Sequence, residues 1–270
     1  MQSNIGPGQP NHRTTLIADS ELAFAREIHR SLLPRDYVSA QLDIAVRYRE
    51  ANRLGGDYAT VQPKTNGNIF LAMCDACGHG IASALLAARV NSFVRDHAEQ
   101  SRDLCDLAES LNHFIFDNFY LSGVFATFLA AEIRPDRQEI LFNNWAQPPG
   151  LLYHAKNTTF EQLGPKRPAM GVMKVFRQDC TITSVHYQPG DRLLFYTDGI
   201  TEARSSEGKP FGTERLEEFL RTAPVSLSSA EAAGTILTQI ETFRGQEPCD
   251  DRLVMVVSFR DHDKAPRLAG

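Results

Sequence analysis

The chain has 270 residues, 42% of them hydrophobic and 23% charged, with a formal net charge of −5. That is enough apolar material for a sizeable core, and it lacks the cationic excess of a nucleic-acid binder. The best apolar run, Ile81-Ala82-Ser83-Ala84-Leu85-Leu86-Ala87-Ala88, stops at Arg89, and Met1 to Arg13 is polar with no signal-peptide core, so a cytoplasmic protein without membrane insertion is expected.

In chain order, Leu22, Ala25, Ile28 and Leu32 recur at helical spacing and Pro34 ends the pattern, which predicts an amphipathic helix. Leu42, Ile44, Val46 and Tyr48 alternate with polar residues as a half-buried strand does. Ile69 to Cys74 reads as a central strand, followed after Gly80 by a helix to about His97, and Asp103 to Phe119 as a second helix. Strands near Phe125–Ile133 and Glu139–Trp145 flank the Arg134-Pro135-Asp136-Arg137 turn and form a hairpin. Short strands follow at Gly150–His154 and Thr181–Tyr187, and Pro189-Gly190-Asp191 turns the chain into a strand at Leu193–Thr197. Two helices, near Gly212–Leu220 and Ser229–Phe243, precede a last strand from Leu253 to Val257, and the tail after Arg260 is expected to fray. Tight turns between neighbouring strands and helices in pairs predict mixed α+β layers, with no repeat and no dividing linker.

Four aspartates sit where apolar runs meet glycine-rich or acidic turns: Leu54-Gly55-Gly56-Asp57, Cys74-Asp75-Ala76-Cys77-Gly78-His79-Gly80, Thr197-Asp198-Gly199 and Cys249-Asp250-Asp251-Arg252. An Asp beside Gly is most often a turn residue. Gathered at neighbouring strand ends, however, these carboxylates would repel one another unless a cation neutralised them, and hard oxygen ligands suit Mg²⁺ or Mn²⁺. Cys74 and Cys77 form a C-x-x-C, but Cys105, Cys180 and Cys249 stand singly, so no second ligand pair supports a structural zinc. Cys74 is expected to end a strand and Cys77 to sit in the acidic turn. An odd number of cysteines without an export signal favours reduced thiols over a disulfide framework.

These motifs, in this order, resemble a known family. Leu32-Leu33-Pro34, Gly55-Gly56-Asp57, Asp75 to Gly80, Pro189 to Arg204 and Asp250-Asp251 are similar to the motifs of bacterial PPM-type serine/threonine phosphatases of the SpoIIE/RsbU group, over about residues 21 to 259. The resemblance implies a four-layer α/β/β/α sandwich, two antiparallel sheets flanked by helices. It also implies two Mn²⁺ or Mg²⁺ ions, with Asp75 bridging both, Asp198 and Asp250 holding one, Asp57 the other, and the Ala76 carbonyl as a backbone ligand. Where eukaryotic-type relatives carry a histidine two residues after the bridging aspartate, this chain has Cys77, which leaves His79 as a candidate acid for the leaving alkoxide, or else as a residue that merely orders its turn. Departures occur at Ala59-Thr60, at Asn144-Trp145-Ala146-Gln147-Pro148-Pro149 and at Leu253.

The implied organisation is a flexible segment over 1–20 that includes the start of a helix, an amphipathic regulatory or dimerisation helix over 21–34, a phosphatase domain over 35–260 and a tail over 261–270. The implied function is dephosphorylation of a small STAS-type anti-sigma-factor antagonist in partner-switching signalling, with a separate upstream regulator and a homodimer as possible partners. A non-catalytic binding module of the same fold and a phosphatase for small phosphate esters are the alternatives.

Overall fold

The computed structural model describes residues 12–51, 54–245 and 250–261, with side chains described from residue 20. Two antiparallel sheets stack face to face. The first contains β1 (Tyr37–Val38), β2 (Leu42–Arg49), β7 (Gly150–His154), β8 (Thr159–Leu163), β10 (Arg192–Tyr196) and β11 (Arg252–Phe259), in the order β1-β2-β11-β10-β7-β8. The second contains β3 (Asp57–Pro63), β4 (Ile69–Ala76), β5 (Ala126–Arg134), β6 (Glu139–Trp145) and β9 (Thr183–His186), in the order β3-β4-β5-β6-β9. Alternate residues of the facing strands, among them Ile44, Leu71, Leu129, Leu193 and Met255, fill the layer between the sheets.

The helices α2 (Ile81–His97) and α3 (Leu104–Phe119) cover the outer face of the second sheet through Leu86, Val90, Leu107 and Leu111. Likewise α5 (Thr213–Thr222) and α6 (Ser229–Phe243) cover the first, through Leu216, Phe219, Ile236 and Ile240. The four-layer α/β/β/α sandwich is thus the observed architecture. Among the described residues no helix is long and apolar enough to cross a membrane.

Three expectations need correction. β2, read as half-buried, is buried continuously from Leu42 to Val46, because α6 roofs its outer side. Asp43 in that stretch is satisfied by Ser229 N at 3.2 Å and by an ion pair with Arg260. The first helix, α1, runs His12–Ser31, and its expected buried face is displaced. It is rotated so that His29 is buried, with its ring 5.8 Å from that of Tyr48, while Ile28 is exposed. The bidentate Arg30–Glu50 pair, at 2.7 and 3.1 Å, ties this rotation to the end of β2.

Finally, Cys105 and Cys180 are joined in a disulfide, contrary to the expectation of reduced thiols. Their separation of 75 residues carries no spacing signal, and only the packing of α3 against the 170–180 segment brings them together. Cys74 is free and buried, Cys77 is free and half-buried, and Cys249 lies outside the described residues, as do most of the 1–20 segment and nearly all of the tail.

Candidate metal centre

Antiparallel pairing of β3 with β4 sets Asp57 directly opposite Asp75. Like charges in that relation destabilise a sheet, so the register asks for an explanation. The first sheet brings its own acids to the same edge. β10 pairs with β11 through Tyr196 and Val254, and immediately beyond this pair lie Asp198, the first residue of a one-turn helix α4 (Asp198–Thr201), and the Asp250-Asp251 dipeptide that leads into β11. Gly199 allows the approach, because a Cβ there would stand 2.0 Å from the carbonyl oxygen of Asp251.

Bonds across the two sheets lock the edge. The fully buried Thr197 donates its hydroxyl to Asp57 Oδ2 at 2.7 Å and accepts from Leu253 N at 3.1 Å. Asp251 is buried and accepts from Ala51 N and Gly56 N, both at 2.7 Å, so it holds the turn that delivers Asp57. Ala76, buried at the end of β4, donates its N–H to the Gly56 carbonyl at 3.2 Å.

The electrostatics are those of crowded acids. Burial first, then the charges of Asp75 and Asp251, hold the Asp57 carboxyl well above its usual range. Burial, with Asp198 and Asp250 behind it, pushes Asp75 up to about 7. Asp198 is raised by burial and then by Asp250 and Glu202. Burial also raises Asp251, against the two backbone N–H groups that favour its charge. Asp250 is exposed. Among the described residues no three His, Cys, Asp or Glu side chains are arranged to hold an ion as they stand; the carboxylates couple without closing a cage.

The donor set nevertheless suits a hard divalent cation. Its groups are carboxylates, with the Ala76 carbonyl as a backbone oxygen beside them. The nearby sulfurs are engaged elsewhere, Cys74 in the core and Cys77 accepting from Phe125 N at 3.2 Å. Cations bound among these acids would relieve the repulsion between Asp57 and Asp75. His79 is exposed on the turn between Gly78 and Gly80, both at positive φ. The structure therefore brings Asp57, Asp75, Asp198 and Asp250 to one sandwich edge, with Ala76 and His79 on the same turn as Asp75. Sequence reasoning missed Thr197; the hydroxyl immediately before Asp198 was the available signal.

Comparison with known proteins agrees with this fold. The family model described as Stage II sporulation protein E (SpoIIE) matches residues 65–260. "Phosphoserine phosphatase RsbU" of Bacillus subtilis (strain 168) is 26% identical over 205 residues, covering 74% of this chain and 60% of RsbU. This chain thus matches less than two thirds of that relative's length. The SiaA-PP2C domain of Pseudomonas aeruginosa shares the fold with a TM-score of 0.76 at 18% identity, over 93% of this chain and 99% of that one. The catalytic domain of the serine threonine protein phosphatase PstP, solved in complex with two manganese ions, superposes with a TM-score of 0.59 at 18% identity, over 82% and 99%.

Proposed function

The chain belongs to the SpoIIE family, and on that premise we propose that it is a divalent-metal-dependent phosphatase acting on phosphoserine or phosphothreonine in a protein. The observation that carries this reading is the meeting of Asp57, Asp75, Asp198 and Asp250 at one edge, where burial and mutual repulsion raise the carboxyls of Asp57, Asp75 and Asp198. Asp75 is assigned as the bridge between two Mn²⁺ or Mg²⁺ ions, Asp198 and Asp250 as ligands of one, Asp57 as ligand of the other, with the Ala76 carbonyl as a backbone ligand; the two manganese ions of the PstP domain support the count. When bound, such ions neutralise phosphoryl oxygens and make water a competent nucleophile near neutral pH.

The chain's own groups do the positioning. Thr197 fixes one oxygen of Asp57, and Asp251 pins the Gly56 turn. His79, exposed beside the acids, is assigned to give a ring proton to the departing serine or threonine oxygen. The substrate is assigned as a small phosphorylated STAS-type protein, as the motif resemblance to the SpoIIE/RsbU group implies; the name of the relative, phosphoserine phosphatase RsbU, supports phosphoserine as the group acted on. α1 is assigned to pair two protomers or to receive a separate regulator, because Phe24 and Ile28, four residues apart, leave an exposed apolar strip.

The test is incubation with phosphorylated STAS-domain proteins from the same genome, with and without Mn²⁺. Phosphate release that needs the metal and is lost in Asp75→Asn supports the assignment. Full activity in Asp75→Asn overturns it.

A further inference from the structure

An apolar surface borders the acid cluster, and no step of the hydrolysis uses it. It is built by the first turns of α2, the turn that follows α3, and the segment after Met170: Ile81, Leu85, Tyr120, Leu121, Phe125 and Val172 are all exposed there, Leu121 by 99%. Scattered surface leucines are ordinary, but clustered ones mark contact sites.

Contacts bring parts of this surface together. Tyr120, Phe125 and Val172 line one cavity of about 200 Å³. Arg89, one helical turn beyond Leu85, lies over the rings of Phe114 and Phe119, at 4.9 and 5.2 Å, so the Ile81–Leu85 face runs beside the end of α3. Its inner rim is the acidic turn itself, since Cys77 N donates to the Phe125 carbonyl at 3.0 Å and Phe125 N donates to Cys77 Sγ at 3.2 Å, two residues from Asp75.

The patch is also preformed. Asn112 accepts from Gly171 N and donates to the Met173 carbonyl, each at 2.9 Å. Gly171 has φ +85°, and a Cβ there would fall 2.4 Å from Ile115 Cγ2, so only glycine lets this segment lie so close on α3. Farther along, the Arg177–Asp103 ion pair and the Cys105–Cys180 disulfide fasten the same segment to the start of α3. An apolar surface held this firmly loses little entropy when it is covered.

We propose that this surface docks uncharged, apolar residues flanking the phosphoserine of the protein substrate, a proposal that rests on the phosphatase reading above. The choice of occupant follows from position and charge. A chain that covers the patch as far as the rim at Cys77 and Phe125 presents its neighbouring residues to the acid cluster. The flanking cations are already engaged, Arg89 over aromatic rings and Lys174 with Asp117 at 2.9 Å, which leaves apolar contact as the basis of recognition. Burying one aliphatic side chain is worth ~1.5–3 kcal/mol, so discrimination of roughly tenfold or more is expected.

The test uses two phosphoserine peptides of equal length and charge, one flanked by Leu and Val and one by Ser and Gly, together with p-nitrophenyl phosphate, which reports the metal centre alone. The expected result with Mn²⁺ is a kcat/KM at least tenfold higher for the apolar-flanked peptide, expressed in KM. Leu121→Ser/Val172→Ser should cut that preference to threefold or less while p-nitrophenyl phosphate turnover and Tm hold. Equal KM for the two peptides, or a preference that survives in the variant, overturns the proposal, as does a variant that instead dissociates a dimer, which would give the patch to a second copy. If p-nitrophenyl phosphate is not turned over at all, the phosphatase reading fails separately, and fluorescence anisotropy of the same peptides still decides the patch by the same comparison.

Discussion

Thr197→Val is the sharpest probe of the link between fold and metal centre, because it keeps the shape of a fully buried side chain and removes only a hydroxyl. That hydroxyl donates to Asp57 Oδ2 at 2.7 Å and accepts from Leu253 N at 3.1 Å. Without ions burial raises the Asp57 carboxyl well above its usual range, so the lost bond is taken as a neutral one of ~1 kcal/mol, and the stranded Leu253 N–H adds ~1–3 kcal/mol. The sum, roughly 2–4 kcal/mol, corresponds to a fall in Tm of roughly 4–16 °C at ~2–4 °C per kcal/mol for a domain of this size. Ion binding ionises Asp57, and a hydrogen bond to a charged acceptor is worth ~1.5–3 kcal/mol. The differential loss of about 0.5–2 kcal/mol then raises the Mn²⁺ concentration for half-maximal activity about 2- to 30-fold. The assays are thermal melts in EDTA and p-nitrophenyl phosphate turnover against a Mn²⁺ titration, with Thr197→Ser as the rescue. A Val variant that melts lower but keeps the wild-type Mn²⁺ requirement would show that Thr197 only packs, and the positioning argument would fall.

Asp250→Ala should lose metal-dependent turnover by orders of magnitude with little change in Tm, since Asp250 is exposed. Asp251→Ala should melt lower, because the N–H groups of Ala51 and Gly56 lose their acceptor, yet keep more activity; the opposite ranking of activities exchanges the two roles. For Asp75 the folded pKa of about 7 lies above the ordinary value of 3.8, so its burden on stability is absent below pH ~4, grows as pH rises toward 7 and is then constant, at most about 4 kcal/mol. In EDTA the Tm advantage of Asp75→Asn over wild type should therefore grow from pH 4 to 7 and shrink on adding Mn²⁺; an advantage independent of pH would refute the assignment. Ala146 has φ +60°, a conformation that costs a non-glycine residue ~1–2 kcal/mol, so Ala146→Gly should raise Tm by a few degrees after the entropic cost of glycine. Phe24→Glu/Ile28→Glu should dissociate a dimer in sedimentation and shift the Mn²⁺ requirement; a monomer before and after, with no shift, would leave α1 as packing alone.

The parts of the fold that sequence revealed are those where local chemistry and tertiary context agree. α6 follows Ser228, whose side chain and that of Glu231 cap each other's backbone, and α3 follows Asp103, which accepts from Cys105 N and Asp106 N; both starts could be read from residue type and period. β3 went unread because Tyr58-Ala59-Thr60 is buried on both faces and shows no alternation. β8 went unread because it is a polar edge strand. Without β3 the Asp57–Asp75 register could not be seen, and the gathering of the acids rested on family resemblance. The disulfide, the rotation of α1 and the role of Thr197 all depend on contacts between segments far apart in sequence, where no periodic signal exists.

The carboxylates at this edge differ in how far the protein itself satisfies them, and that difference sorts their roles. Asp251 accepts two backbone N–H bonds from donors 200 and 195 positions away in sequence, so its charge is spent on holding the Gly56 turn. Asp57 has one hydroxyl donor, from Thr197. Asp75 is driven to about 7 by burial first and then by the charges of Asp198 and Asp250. An acid kept for structure is surrounded by donors, because a buried unpaired charge is costly; an acid kept for an ion retains free lone pairs and bears the repulsion until the ion arrives. On that criterion Asp75 is the most exposed to the repulsion, as a bridging ligand between two cations would be, and Asp251 is scaffold. The two adjacent aspartates before β11, indistinguishable by residue type, are thus separated by where the backbone N–H groups of a distant turn happen to point.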